Sequence, residues 1–461
     1  MYIAIGNSIG ASSRVNRGGG GGGFTNTYSL AFDGVDDFVD LGSGTSLEFT
    51  NDFSVSVWIK ETGSLNRGIF CCGNRSGTSG WMIYRTSANK VAFSVYTANN
   101  RVATSTTSIN TGDWFNVIGT FEKNGTANQQ VKIYINGTFE GQNGWISSQT
   151  PTYSGTIYKQ IAFPYAGSNE FLGNIDEVSA FNYLLSTDEI NTISTTPSDL
   201  SSLNPSAWYR NGDNGSYKSP QWLIPENSNK DKVSNYSFEF DGVDDYIQLG
   251  SAVSFASEFS LSVWFKPNGF STSQVILGNG TSSNNWLRLN SASSITFKIA
   301  NTSLNFADVG NNLVDGVWQH LLLYRDSSNN VGIFRNGSAF STNQSNTNTL
   351  ELSTIAKRGS IEYTGSIDDI AFWQSDKSSD VATIYNSGTP TTLPSGAVAH
   401  WKMGEEATFS TNWTVPDAVG SNDGTSANMS IEDRVGDASN SSNNAVSFNM
   451  TESDRETDVP S

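Results

Sequence analysis

The chain has 461 residues, a formal net charge of -18 and only 15% charged residues, so Ser, Thr, Asn and Gly must supply most of its polar surface. The acidic balance excludes a nucleic-acid binder, which needs a basic footprint, and no run of about 18 apolar residues is present to span a membrane. The length predicts two to four domains, each with a core large enough to need no disulfide scaffold. Residues of this kind favour turns and short strands, which excludes a helical bundle and points to an all-β protein. The two cysteines, Cys71 and Cys72, are adjacent. Neighbouring strand residues face opposite ways, so both read as reduced small hydrophobes.

In chain order, residues 1–26 form a Gly-rich arm, with Arg17 followed by the glycines of 18–23. Alone in water such a run is a flexible linker; in an assembly it would allow close backbone packing. The opening Met1-Tyr-Ile-Ala-Ile-Gly6 lacks the basic region and apolar length of a signal peptide. The expectation is a cytosolic protein, or one that leaves its cell by another route such as lysis.

The rest of the chain is a duplication. Ser29-Leu-Ala-Phe-Asp33-Gly-Val-Asp36-Asp37 returns as Ser237-Phe-Glu-Phe-Asp241-Gly-Val-Asp244-Asp245. Phe53-Ser-Val-Ser-Val-Trp58 returns as Phe259-Ser-Leu-Ser-Val-Trp264, and Trp114 as Trp318. Val131-Lys-Ile-Tyr-Ile-Asn136-Gly137 matches Val331-Gly-Ile-Phe-Arg-Asn336-Gly337, and Gly173-Asn-Ile-Asp176-Glu177 matches Gly365-Ser-Ile-Asp368-Asp369. The strands alternate with period two, and each Asn-Gly pair supplies the positive-φ turn of a tight hairpin. Helix signals are few. Ser186-Thr-Asp-Glu189 is a capping box, and a counterpart runs from Ser378 to a stop near Gly388. A second element follows each repeat: Trp208 to Gly212-Asp213 before Trp222, and Trp401 to Gly404-Glu405 before Trp413. The predicted organisation is arm 1–26, sandwich 27–196, Trp-Gly-Asp linker 197–234, sandwich 235–390, and a Trp-Gly-Glu segment with an Asn/Ser-rich tail over 391–461. Too little apolar sequence lies in the tail from about 425 for it to fold alone.

The ordered motifs Phe-Asp-Gly-x-Asp-Asp, Phe-Ser-x-Ser-Val-Trp, the Asn-Gly hairpin and Gly-x-Ile-Asp-Glu/Asp resemble the concanavalin A-like domains of laminin G and pentraxin type, across nearly all of both repeats. The fold this implies is two jelly-roll β-sandwiches in tandem. The resemblance also implies a structural calcium joining the two ends of each domain, with Asp33 and Asp176 as ligands in the first and Asp241 and Asp368 in the second. Asp36, Asp37, Asp244 and Asp245 would offer extra oxygens. The Trp-x-x-Gly-Asp segments between such domains are similar to arrangements in structural proteins of marine tailed phages. Glycan contact needs aromatic platforms with polar partners. Candidates are Trp81, Tyr84, Tyr96 and Trp145 in the first domain, and Trp286, Arg288 and Trp373 in the second, whereas Trp58, Trp114, Trp264 and Trp318 read as core.

Catalysis finds less support. A retaining glycosidase needs paired carboxylates, and Glu239-Phe-Asp241-Gly-Val-Asp244 alternates suitably, but Ala31 replaces Glu239 in the first repeat and the central strands from Val131 and Val331 carry no acid. His320 and His400 are the only histidines. His320 alternates as a buried strand residue where the first repeat has Asn116. Neither zinc spacing nor a phosphate loop is present. The expected protein is a non-enzymatic structural or adhesive component of a phage virion surface, a capsid decoration, fibre or tail-associated adhesin, with possible glycan contact. Arm and tail would join it to other virion or surface-assembly proteins or to further copies of itself. The alternatives are a bacterial surface carbohydrate-binding adhesin and a polysaccharide hydrolase.

Overall fold

A computed structural model describes residues 24–460 apart from 43–46, 64–66, 75, 98, 165–169, 281, 309, 311 and 391–392. The glycine arm to Gly23 lies outside the described residues. Strand makes up 47% of the chain and helix 8%, and two sandwiches with the same strand order account for nearly all of it.

In the first domain one sheet runs Thr138–Asn143, Val131–Ile135, Trp114–Phe121, Phe53–Glu61, Leu172–Phe181, Ser29–Asp33. The second domain repeats it as Ser338–Ala339, Asn330–Arg335, Gln319–Arg325, Phe259–Pro267, Thr364–Trp373, Ser237–Asp241. The facing sheets begin at Phe38–Asp40 and Tyr246–Phe255 and correspond in the same way. Every ladder among the described strands is antiparallel. Alternation places Phe53, Val55, Val57 and Ile59 in one core and Phe259, Leu261, Val263 and Phe265 in the other, all fully buried.

The opposite face of Phe53–Glu61 carries Ser54 and Ser56 because a helix covers it. That helix, Thr187–Thr195, starts at the Ser186–Glu189 capping box and packs Ile190 and Ile193 inward. Ser194 donates to Asn116, which donates to Ser56. In the second domain His320 takes the place of Asn116 and bonds Ser262 at 2.8 Å. Burial pushes its imidazole down to about 3, so it is neutral. The second helix, Val381–Tyr385, stops three residues before Gly388, because Asn386 adopts the left-handed cap itself (φ 43°). Both hairpin turns have the expected positive φ at Asn136-Gly137 and Asn336-Gly337.

The Trp-Gly-acid segments add strands to their own domains: Ala207–Tyr209 pairs with Leu172–Phe181, and Ala397–Trp401 with Thr364–Trp373. Their glycines sit where the backbone crosses a tyrosine. A Cβ on Gly212 or Gly404 would lie 2.7 Å from Tyr28 or Tyr236, closer than any side chain tolerates.

The tail departs from expectation. It is ordered by its own chain, in two matching pieces. Gly424–Ala427 and Arg434–Val435 pair with Tyr246–Phe255 and Ser237–Asp241 of the second domain. Ala445–Phe448 and Arg455–Glu456 pair with Phe38–Asp40 and Ser29–Asp33 of the first. Each piece needs little apolar surface because it slots between strands that already carry core side chains: one buried methionine, Met429 or Met450, anchors it. Each closes with an aspartate. Asp437 accepts from Lys266 at 2.7 Å and from the Trp318 indole at 3.1 Å, while Asp458 accepts from Lys60 and from Trp114 at 2.9 Å. Trp114 and Trp318 are therefore half-buried clamps, not core.

The connectivity is nested. In the second domain Trp413–Val415 turns directly into Gly424–Ala427. In the first, Gln221–Ile224 pairs with Ala445–Phe448, and the entire second domain lies between these strands. Arg434, 1% exposed, locks the insertion, donating to Gln221, the Lys218 carbonyl and the Ala407 carbonyl.

Candidate functional site

The first turn of each domain gathers acids. Carboxylate oxygens of Asp33, Asp36 and Asp37 lie within 4.8 Å of one another, and so do those of Asp241, Asp244 and Asp245. Backbone bonds set these positions: Asp37 accepts from the Asp33 amide at 2.9 Å, and Asp33 from that of Val35 at 2.7 Å. The tail pins both loops, with Asn449 donating to the Asp36 carbonyl and Asn428 to that of Asp244. Burial, reinforced by the surrounding acids, including Asp454 and Asp433 of the tail, pushes the carboxyls of Asp37 and Asp245 up to about 6. An all-oxygen, anionic donor set of this kind suits a hard cation such as calcium.

The predicted ligand pairs do not meet. Leu30 lies opposite Ile175 and Asp33 opposite Leu172. Asp176 is thus level with the start of the first strand and Asp33 with its end, about 13 Å apart at the usual rise per residue. Asp241 pairs with Thr364 and is separated from Asp368 in the same way. Asp176 and Asp368 are fully buried in niches of their own, where Asn26 and Ser234 respectively donate to them. Asp33 and Asp241 sit in the acidic loops, where their partners come from the same turn.

The tryptophans proposed as platforms are covered. Trp81 is fully buried among Phe49, Phe53 and Phe70, its indole donating to the Leu47 carbonyl. Trp145 donates to Asn99 beneath Arg101. Trp286 lies beneath Arg288, 4.4 Å away, and Trp373 is core. In each case strand alternation or a local guanidinium has taken the ring face. Tyr84 is half-buried against Cys71, Met82 and Phe163, and Tyr96 is half-buried in an edge hairpin. Both cysteines are buried.

A large concavity lies between the domains, where the tail crosses from one to the other. It is a cleft of about 1030 Å³ whose walls include Phe38, Tyr158, Gln160, Glu239, Lys266 and Phe448. Phe38 and Phe448 stack with centroids 4.9 Å apart, one ring from the first domain and one from the tail. Neither Phe448 nor Asn443 and Asn444, also on its walls, was singled out from the sequence. A signal for the segment of Phe448 existed: Ser447-Phe-Asn-Met-Thr-Glu-Ser-Asp454-Arg-Glu-Thr-Asp458 repeats Ser426-Ala-Asn-Met-Ser-Ile-Glu-Asp433-Arg-Val-Gly-Asp437.

A family model described as the concanavalin A-like lectin/glucanases superfamily, of laminin G type, matches residues 33–191 and 241–381. The chain belongs to this superfamily. No curated protein matches it. Among solved structures it is similar to domains LG4-5 of the mouse laminin alpha1 chain (11% identity, 77% of this chain and 90% of that one, TM-score 0.27). It is also similar to the heptameric SAP-like pentraxin of Limulus polyphemus (15%, 37% and 82%, TM-score 0.27) and to the IT-sialidase CBM40 of Ruminococcus gnavus (15%, 38% and 100%, TM-score 0.28). Among the described residues no helix is long and apolar enough to cross a membrane.

Proposed function

We propose that the chain is a non-enzymatic, glycan-binding protein of a virion surface, and that its sugar site is the cleft between the two sandwiches. The observation that carries this reading is the composition of that cleft. Stacked Phe38 and Phe448 with Tyr158 offer aromatic faces for a pyranose ring, and Gln160, Asn443, Asn444, Glu239 and Lys266 offer hydroxyl partners. Its volume accommodates an oligosaccharide, as does its length across two domains. Support for the non-enzymatic reading comes from the acids whose charges bear on Glu239: Asp437 is tied to Lys266 and Trp318, and Asp433 to the Ser430 amide, so both are engaged in structural bonds and not poised for glycosidase chemistry.

On the same reading the Asp33, Asp36, Asp37 and Asp241, Asp244, Asp245 loops hold structural calcium. The glycine arm would join the protein to its particle. One observation favours a second reading, a free cell-surface adhesin: the tail, expected to dock on other chains, is consumed by the protein's own sheets. A glycan array with the full chain, followed by Phe448→Ala and Tyr158→Ala, tests the sugar site. Loss of at least about tenfold in affinity in both variants, with unchanged melting, is expected. Binding that survives both variants refutes the cleft, and release of reducing ends that disappears in Glu239→Gln refutes the non-enzymatic reading.

A further inference from the structure

The two buried niches around Asp176 and Asp368 are built from equivalent positions but are neutralised differently. In the first domain Glu177 and Asp213, the acids whose charges bear on Asp176, hold one guanidinium. Arg210 donates through Nε to Glu177 at 2.9 Å and through Nη2 to Asp213 at 3.2 Å and to the Thr25 carbonyl. The ring of Phe24 lies 4.2 Å from that guanidinium, and Trp208 supplies a further bond to Glu177 at 2.6 Å. The cation is internal and its planar faces are covered.

In the second domain the carboxylates remain and the guanidinium is gone. Asp368, Asp369 and Glu405 replace Asp176, Glu177 and Asp213. The position of Arg210 is Lys402, whose ammonium is held outward by Glu406 at 2.6 Å. Trp208 becomes His400, which bonds Asp369 at 2.6 Å, and Phe24 becomes Lys232, which is exposed. What is left is a pocket of about 400 Å³ with Asp369, His400, Lys402 and Glu405 on its polar side and Pro390, Leu393 and Val419 among its apolar walls, the Lys402 ammonium being drawn to Glu406.

Two buried oxygens of this acid cluster have no partner: Oε2 of Glu405, on the pocket wall, and Oδ1 of Asp368, a residue 0% exposed next to Asp369 and bonded by Ser234. Ser234 bridges the two side chains, donating to Asp368 at 2.6 Å and to Glu405 at 3.3 Å, so the orphaned oxygens belong to one cluster. Burial, and then the charge of Glu405, holds Asp368 well above the usual carboxylate range, and burial pushes Glu405 up to about 7. An anionic cluster this deep is costly unless a cation or a proton compensates it.

We propose that this pocket of the second domain binds a guanidinium group from outside the chain, in the role that Arg210 fills from within the first. The apolar walls take the place of Phe24 in flanking a planar, weakly hydrated cation, and the carboxylates supply the acceptors a guanidinium requires.

The test is calorimetric titration of the full chain with methylguanidine, with calcium as a parallel arm. Saturable one-to-one binding is expected, weakened at least about tenfold in Glu405→Gln. Lys402→Arg, which offers the domain its own guanidinium, should abolish methylguanidine binding while raising the melting temperature, and it guards against Glu405→Gln failing to fold. The absence of saturable binding to the wild-type chain overturns the proposal. Binding that persists in both variants does so too, as does displacement of methylguanidine by calcium, which would make the pocket a metal site.

Discussion

Removing one methionine side chain from the tail tests whether the last residues belong to the first domain. Met450 is 1% exposed and sits in the first core, where the neighbouring Trp222 indole donates to the Thr451 carbonyl at 2.7 Å. A fully buried Met→Ala change loses both transfer energy and packing, commonly 2–5 kcal/mol. At a strand edge, where partial collapse is easy, about 2–4 kcal/mol is expected for Met450→Ala. For a domain of this size that lowers Tm by roughly 5–15 °C. Calorimetry gives the shift, and hydrogen exchange locates it: protection should fall in Phe38–Asp40 and Gln221–Ile224, the strands that Ala445–Phe448 pairs with. Met429→Ala, the matching change in the second domain, should instead loosen Tyr246–Phe255. An unchanged melting curve and unchanged exchange in Met450→Ala would falsify the nested assignment and return the tail to the role of a docking segment.

Much of the fold was legible because it is duplicated. Two copies of Phe-Asp-Gly, of the Asn-Gly hairpin and of the Ile-Asp strand, in one order, define two sandwiches, and period two separates Val55 and Val57 in the core from Ser54 and Ser56 beneath the helix. The tail duplication escaped for a geometric reason. Its copies lie side by side in the chain although they serve domains about 200 residues apart, so they do not fall on the offset of the other repeats. Composition also misled. Counting apolar residues asks whether a segment can build a core, whereas Met450 and Arg455 only join one. The joining of Asp33 with Asp176 in one metal site failed on register: the two lie on neighbouring strands, but pairing Asp33 with Leu172 puts them at opposite ends, while Asp33 keeps Asp36 and Asp37 beside it. The platform tryptophans failed because sequence does not say which ring face a neighbouring Arg101 or Arg288 covers. The niche of Arg210 becomes visible only when the two domains are aligned by contact, Trp208 with His400 and Arg210 with Lys402.

In chelator, the acidic loops should make the protein more stable as pH falls from about 6 towards 4. Burial raises Asp37 and Asp245 from 3.8 to about 6, so the native state binds more protons than the unfolded chain in that window, and the stability so gained is lost as pH rises through 6. Thermal melts of Asp37→Asn with Asp245→Asn should lack this component, and a pH profile identical to wild type would count against it. Nesting makes the two domains unequal as fragments. Every strand of the second sandwich comes from between Ser237 and Val435, whereas the first needs Ala445–Phe448 to fill the gap between Gln221–Ile224 and Phe38–Asp40. Residues 232–437 should therefore fold alone with a cooperative melt. Residues 24–224 should not, because without the tail Gln221–Ile224 loses its bridge to the sheet and Trp222 its lid, and the open edges invite aggregation. Adding a peptide of residues 439–460 should restore the fold, read as recovered Trp222 fluorescence and a two-state melt. Cooperative melting of 24–224 without the peptide would show that the first sandwich is complete before the chain returns to it, and that the insertion is only a decoration on a finished domain.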